Sequence, residues 1–156
     1  MAEGSTKSMK KILAVASAGG HWIQLRRMAP AYQDQDCVYV TTNPGYRGDV
    51  GDSPYYAVRD ASLWNKWSLL ILAIQIFFIV LRFRPDVVIS TGAAPGYFAI
   101  RFGRWFGART IWVDSIANVE ILSLSGQKVG KYADLWLTQW EHLSSQKGPH
   151  YRGSVL

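Results

Sequence analysis

A single cysteine, Cys37, excludes a disulfide within the chain and fits a reducing compartment; at the edge of the apolar run CVYVTT it reads as a small core residue. Charge is scarce as well. Only 18% of the residues are charged, against ~25% in an ordinary soluble domain, so part of the surface is expected to meet something other than water. Acid is scarcer than base, 11 residues against 17, and the formal charge of +6 calls for an anionic partner. Nucleic acid, phospholipid headgroups and a phosphorylated substrate all satisfy it, and composition does not choose among them. There is no full GxGxxG, no Walker A sequence, no CxxC pair and no HExxH, which removes most support for dinucleotide, P-loop and zinc chemistry. Arg101, Arg104 and Arg109 mix with Phe102, Trp105 and Phe106, but no nucleic-acid-binding pattern accompanies them, so nucleic acid is not expected as a partner. A secretory signal is not visible in MAEGSTKSMKK. Residues 1–8 read as a disordered leader, and residues 9–156 as one Rossmann-like domain.

What is there is organised around KILAVASAGGHWIQL. An apolar strand from Ile12 to Ala16 stops at Ser17, passes through Gly19 and Gly20, and presents His21 where helical periodicity begins. Glycines allow a sharp turn and a close approach, and the free amides of a helix start favour an anion. A tight βα turn with a surface histidine is the alternative reading. PDVVISTGAAPGYFAI repeats the pattern: a buried strand, Val87 to Ser90, runs into Thr91, Gly92 and Gly96 before a second helix. Strands alternating with helical stretches predict an α/β domain with a mostly parallel sheet, in which both turns lie at the carboxyl ends of strands and line one crevice.

Between these units the sequence predicts a short helix closed at Pro30, a strand CVYVTTN, a loop from Tyr46 to Pro54 with freedom to move, and a short strand in YYAVRDA. Ser68 to Leu81 then runs without a charge, bracketed by Lys66, Arg82 and Arg84. As a helix of ~21 Å it is short of the ~30 Å bilayer core. Two readings stand: a fully buried helix, or one that packs one side on the sheet and lays the other into a lipid interface. The basic, tryptophan-rich context favours the second, with Trp64, Trp67, Phe77, Phe78, Arg82 and Arg84 as membrane-binding residues. Beyond the strand ARTIWVDS, the run EILSLSGQKVGKYAD reads as two short helices, DLWLTQWEHL as a last strand, and the tail from Ser144 as polar.

SAGGHWIQL, STGAAPG and above all VDSIANVEILSLSGQKVGKYADLWLTQW resemble the Alg-fourteen-like family of oligosaccharide biosynthesis proteins, including the bacterial PssD type. The resemblance covers about Met9 to Tyr151. It implies the amino-terminal, acceptor-binding half of a GT-B glycosyltransferase, paired with a second subunit that carries the UDP-sugar site. The pair is expected to transfer glucuronic acid or N-acetylglucosamine, with inversion, to a polyprenyl-diphosphate-linked acceptor at the cytoplasmic face of the inner membrane. The chain would be peripheral or monotopic there, on an anionic surface, with the apolar segment or the partner as its anchor. Where the family pattern runs roughly GGHxxEM, Trp22, Gln24 and Leu25 stand here. Acceptor diphosphate contacts are expected from Ser17, Gly19, Gly20, Thr91, Gly92 and Gly96. The base is His21 or Asp114, unranked, and Glu120 orients it or binds a sugar hydroxyl. No metal and no cofactor beyond the UDP-sugar donor are expected. A membrane-recruiting scaffold for a soluble transferase and a small nucleotide-binding protein are the competing functions.

Overall fold

The computed structural model describes residues 8–155. Of the leader assigned to residues 1–8, all but Ser8 lies outside them. Seven parallel strands form one sheet: β1 (Lys11–Ala16), β2 (Asp36–Thr41), β3 (Tyr55–Ala57), β4 (Val87–Gly92), β5 (Arg109–Val113), β6 (Leu135–Thr138) and β7 (His150–Tyr151), in the order β3-β2-β1-β4-β5-β6-β7. Four helices intervene, α1 (Gly20–Arg27), α2 (Lys66–Phe83), α3 (Ala93–Trp105) and α4 (Leu124–Val129). The central strands are apolar on both faces, as strands covered on both sides must be. One cluster joins Leu13, Val15, Val88 and Trp112 to the buried sides of α2 and α3, and the other packs Ile12, Ala14 and Tyr39 against Trp22 and Leu25 of α1. Sheet order reverses between β1 and β4, the strands that feed the two glycine turns, and a crevice opens at such a switch point beyond the strand ends.

Several expectations change. The polar tail contributes a strand, because β7 adds to the edge of β6 through the register Leu137 to His150 and Thr138 to Tyr151. The run from Val119 to Ala133 holds one helix, α4, and residues 116–123 form a loop around a buried carboxylate. The Tyr46–Pro54 loop is seated against α1. Most of it is a 3-10 turn, Pro44–Val50, in which Tyr46 stacks on Trp22 at 5.5 Å, Asp49 accepts the Trp22 indole N–H at 2.8 Å, and Val50 is buried.

Helix α2 is longer than its uncharged core. Asn65 caps its start by accepting the Ser68 amide at 3.0 Å, and Arg84, in a left-handed conformation before Pro85, ends it. Its 18 residues span ~27 Å, so length alone no longer argues against crossing a bilayer. Packing does: Ser68, Leu72, Ile76 and Val80 lie buried on the sheet. Two polar side chains of the helix, Ser68 and Gln75, are satisfied from the loop before it, where Arg59 donates its side-chain Nε to Ser68 and its amide to Gln75. The opposite side is bare, with Trp67 77% exposed and Leu70, Ile71, Ile74 and Phe78 exposed beside it. Of the two readings for this segment, full burial is thereby excluded.

Candidate functional site

Gly19 turns the chain out of β1 with φ +79° and ψ −137°, a conformation essentially reserved for glycine, and α1 starts at Gly20 without a side-chain cap. The amides of Gly20, His21 and Trp22 precede the first helical hydrogen bond, from Ile23 to the Gly19 carbonyl. Two neighbouring amides are already used: Ala18 donates to Thr42 Oγ1 at 3.0 Å and Gly19 to the Tyr46 hydroxyl at 3.2 Å. Ser17 is half-buried beside them.

At the second turn β4 ends in Gly92, φ +143°, and Ala93 takes a positive φ of 65° before α3 proceeds. That conformation costs a non-glycine residue ~1–2 kcal/mol, a strain that concentrates at ligand-contacting turns. The Gly92 amide donates to Ser90 Oγ at 3.2 Å, which leaves the first amides of α3, those of Ala93 and Ala94, as the open donors. Gly96 has another task. It lies buried inside α3, where a Cβ would come 1.9 Å from Ser90 Oγ, so it lets the helix approach the strand and is not an anion contact.

The two turns are joined through His21. Its Nδ1 lies 3.0 Å from the Thr91 carbonyl, and the Thr91 hydroxyl donates to the His21 carbonyl at 2.6 Å. A carbonyl only accepts, so Nδ1 carries the proton and Nε2 is left as an acceptor. Gly92 makes the contact possible, because a Cβ there would fall 2.4 Å from Nδ1. Among the described residues Nε2 has no hydrogen-bond partner.

Asp114 is placed differently. Only 1% exposed, it accepts from Trp112 Nε1 at 3.2 Å, Ser123 Oγ at 2.7 Å, Asn118 Nδ2 at 3.2 Å and the Ser123 amide at 3.0 Å. With both oxygens engaged it organises the 115–123 loop and has no lone pair turned to a substrate, so the structure sets it aside as a base. Glu120 is exposed on that same loop, apart from any helix start. The sequence also holds an Asp-x-Asp, Asp34-Gln35-Asp36, which the expectation of no metal passed over; it precedes and opens β2, at the other end of the sheet from His21.

Sequence reasoning missed a buried amide hub. Gln24 donates to Ser115 Oγ at 3.1 Å and accepts from the Ile116 amide and from Gln139 Nε2, while Gln139 also donates to the Asp114 carbonyl at 3.0 Å and accepts the Val155 amide at 2.7 Å. The helix bearing His21 is thus tied to the ends of β5 and β6. Gln24 stands where the family pattern has glutamate, and that departure was its one visible signal.

On the α2–α3 side Trp64 is 95% exposed, with Trp67, Phe78 and Arg82 also at the surface. Phe77 does not face out: it packs at 5.5 Å on Phe102 and 5.8 Å on Phe106 of the α3 segment. Arg84 lies over the Phe106 ring at 5.6 Å. Trp105, 74% exposed, extends the apolar surface. No Asp or Glu occurs from residue 61 to 85 or from 87 to 113, so α2 and α3 themselves bring cations only, of which Arg104 is paired with Asp134 at 2.8 Å.

A family model described as "Oligosaccharide biosynthesis protein Alg14 like" matches residues 55–155. The UDP-N-acetylglucosamine transferase subunit ALG14 of Yarrowia lipolytica is 32% identical over 74 residues, which cover 44% of this chain and 34% of that protein. The chain therefore matches about a third of the length of this curated relative. Among solved structures, MurG of Acinetobacter baumannii superposes with a TM-score of 0.70 at 13% identity, covering 90% of this chain and 47% of that one. A UDP-N-acetylglucosamine 2-epimerase from Rickettsia bellii gives 0.66 at 12% identity, over 86% and 40%. At such identities the likeness is one of fold, and it agrees with the Rossmann-like α/β class read from the sequence.

Proposed function

Since the chain belongs to the Alg14-like family of oligosaccharide biosynthesis proteins, we propose that it is the acceptor-binding half of a two-component, GT-B-type, inverting UDP-sugar glycosyltransferase, working at the cytoplasmic face of the inner membrane on a polyprenyl-diphosphate-linked acceptor. The reciprocal His21–Thr91 pair at the sheet's switch point carries this reading. It fixes one imidazole nitrogen, frees the other, and sets it between two helix starts whose open amides suit a diphosphate. In the reaction the acceptor hydroxyl oxygen attacks the anomeric carbon, the bond from that carbon to UDP breaks, and His21 Nε2 takes the hydroxyl proton. The second subunit brings the donor and stabilises the departing UDP. The bare, cationic α2–α3 face supports attachment to an anionic bilayer, which holds the reacting end of a lipid-borne acceptor within reach. The name of the Yarrowia relative favours N-acetylglucosamine as the sugar, with glucuronic acid the second candidate.

The test is reconstitution with a partner of UDP-binding half-fold, followed by a screen of labelled UDP-sugars on a polyprenyl-diphosphate acceptor. Transfer is expected from the pair and from neither chain alone; turnover by this chain without a partner sinks the two-component reading. One observation favours a second reading, a scaffold that only recruits a complete transferase to the membrane: Asp114 and Gly96, both expected in the site, serve the fold instead. A pure scaffold keeps full pair activity when His21 is replaced by alanine.

A further inference from the structure

Beside the start of α3 lies a shallow cleft of about 120 Å³, walled by Leu63, Leu69, Ala94, Phe98 and Leu124, with Lys128 at its rim. Resting on the reading above, we propose that this cleft holds the first carbons of the acceptor's hydrocarbon chain, with Lys128 as counter-ion to its diphosphate. Three features identify the occupant as an anionic head followed by an apolar tail. Ala94, whose amide is one of the open donors at the second turn, forms part of the wall, so the cleft begins where the diphosphate would end. No wall residue is acidic, and among the described residues Lys128 joins no ion pair. Leu63 in the wall is 53% exposed and is followed in the chain by Trp64 and Trp67 of the bare face, so a chain leaving the cleft past Leu63 meets the surface assigned to lipid. The size suits a few carbons: an apolar cavity of ~150 Å³ accommodates benzene. This differs from the apolar stripe of α2, a surface for many lipids, and from the groove of about 330 Å³ by Phe78, Ile79 and Phe83 near the opposite end of that helix.

Binding of farnesyl diphosphate, farnesol and inorganic diphosphate to the full chain, together with crosslinking by a benzophenone-bearing farnesyl diphosphate, tests it. Each methylene taken out of water is worth roughly fourfold in affinity, so farnesyl diphosphate is expected to bind more than tenfold tighter than inorganic diphosphate. Leu63→Asn and Leu124→Asn, polar but uncharged beside Lys128 and at exposed positions that tolerate the change, should erase that gain and leave inorganic diphosphate binding intact. Lys128→Ala should weaken both diphosphates, and the crosslink should fall on residues 63–69, 94–98 or 124. Equal affinity for farnesyl and inorganic diphosphate overturns the proposal, as does a crosslink confined to residues 70–83. If the two leucine variants lose farnesyl diphosphate while inorganic diphosphate neither binds nor competes, the tail cleft stands and the diphosphate reading of the two turns falls.

Discussion

His21 and Thr91, seventy positions apart, hold each other by two hydrogen bonds across the seam between β1 and β4, ring nitrogen to carbonyl and hydroxyl to carbonyl. Each strand end thereby fixes the other, and the geometry of the imidazole depends on both. General-base catalysis contributes ~10²–10⁴-fold, so His21→Ala is expected to lower the turnover of the reconstituted pair by that range with the fold retained. Thr91→Val keeps the carbonyl and loses the hydroxyl bond, and a loss of about tenfold is expected. Initial rates with circular dichroism check both.

Asp114 is a fold residue. Removing its carboxylate orphans three side-chain donors, those of Trp112, Asn118 and Ser123, and the Ser123 backbone amide. Asp114→Ala should lower stability by about 3 kcal/mol or more in urea unfolding, since each unsatisfied buried group costs ~1–3 kcal/mol. The pH dependence of transfer by the milder Asp114→Asn should keep its wild-type shape; a changed acidic limb, where a general base is lost to protonation, would return this residue to the catalytic machinery.

Gly20 and Gly96 look alike in sequence and differ in space. A Cβ at Gly20 meets nothing within 4 Å, whereas one at Gly96 collides with Ser90. Gly96→Ala should cost about 1–3 kcal/mol through overpacking. Gly20→Ala should leave the melting temperature nearly unchanged and raise the acceptor KM about tenfold, a methyl group standing where the diphosphate approaches. An unchanged KM would mean that no ligand comes near Gly20.

The two sides of α2 should respond oppositely. Trp67→Glu combined with Ile74→Glu, both exposed, should abolish flotation with anionic vesicles and leave stability close to wild type. Leu72→Glu, which puts a charge where the side chain is fully buried, should prevent folding. Arg82→Gln should weaken flotation about fivefold, near the ~1 kcal/mol per surface cation, and high salt should mask the difference.

Asp134 sets an acid limit. Burial raises its carboxyl, but the Thr110 amide, the Arg104 guanidinium and the Thr110 hydroxyl outweigh that and hold it below the ordinary range. A carboxyl lowered in the folded state adds stability above the unfolded value of ~3.9, and that stability disappears as pH falls through the lower folded value. Chemical unfolding from pH 5 downward should show Asp134→Asn losing less stability than wild type over that window.

Much of this was legible because it is local. Val87 to Ser90 reads as a buried strand and Ser68 to Leu81 as an uncharged helical run, since apolar pattern and turn residues act between neighbours, while the cap at Asn65 and the end at Arg84 came only with the structure. The edge strand β7 escaped notice, because two residues carry no period and their pairing depends on β6 being present. Gln24 escaped because a glutamine in an amphipathic helix ordinarily faces water, and its burial exists only where three strand ends converge.

By itself the sequence determined the α/β alternation, both glycine turns, an apolar segment flanked by cations, and the surplus of positive charge. Only the tertiary structure decided that β1 and β4 are neighbours, that Asp114 is consumed by its own loop, and that Gly96 packs while Gly20 stays open. The reason is physical: side-chain periodicity and turn propensity depend on adjacent residues, whereas sheet order and the saturation of a buried carboxylate depend on which distant segments meet it.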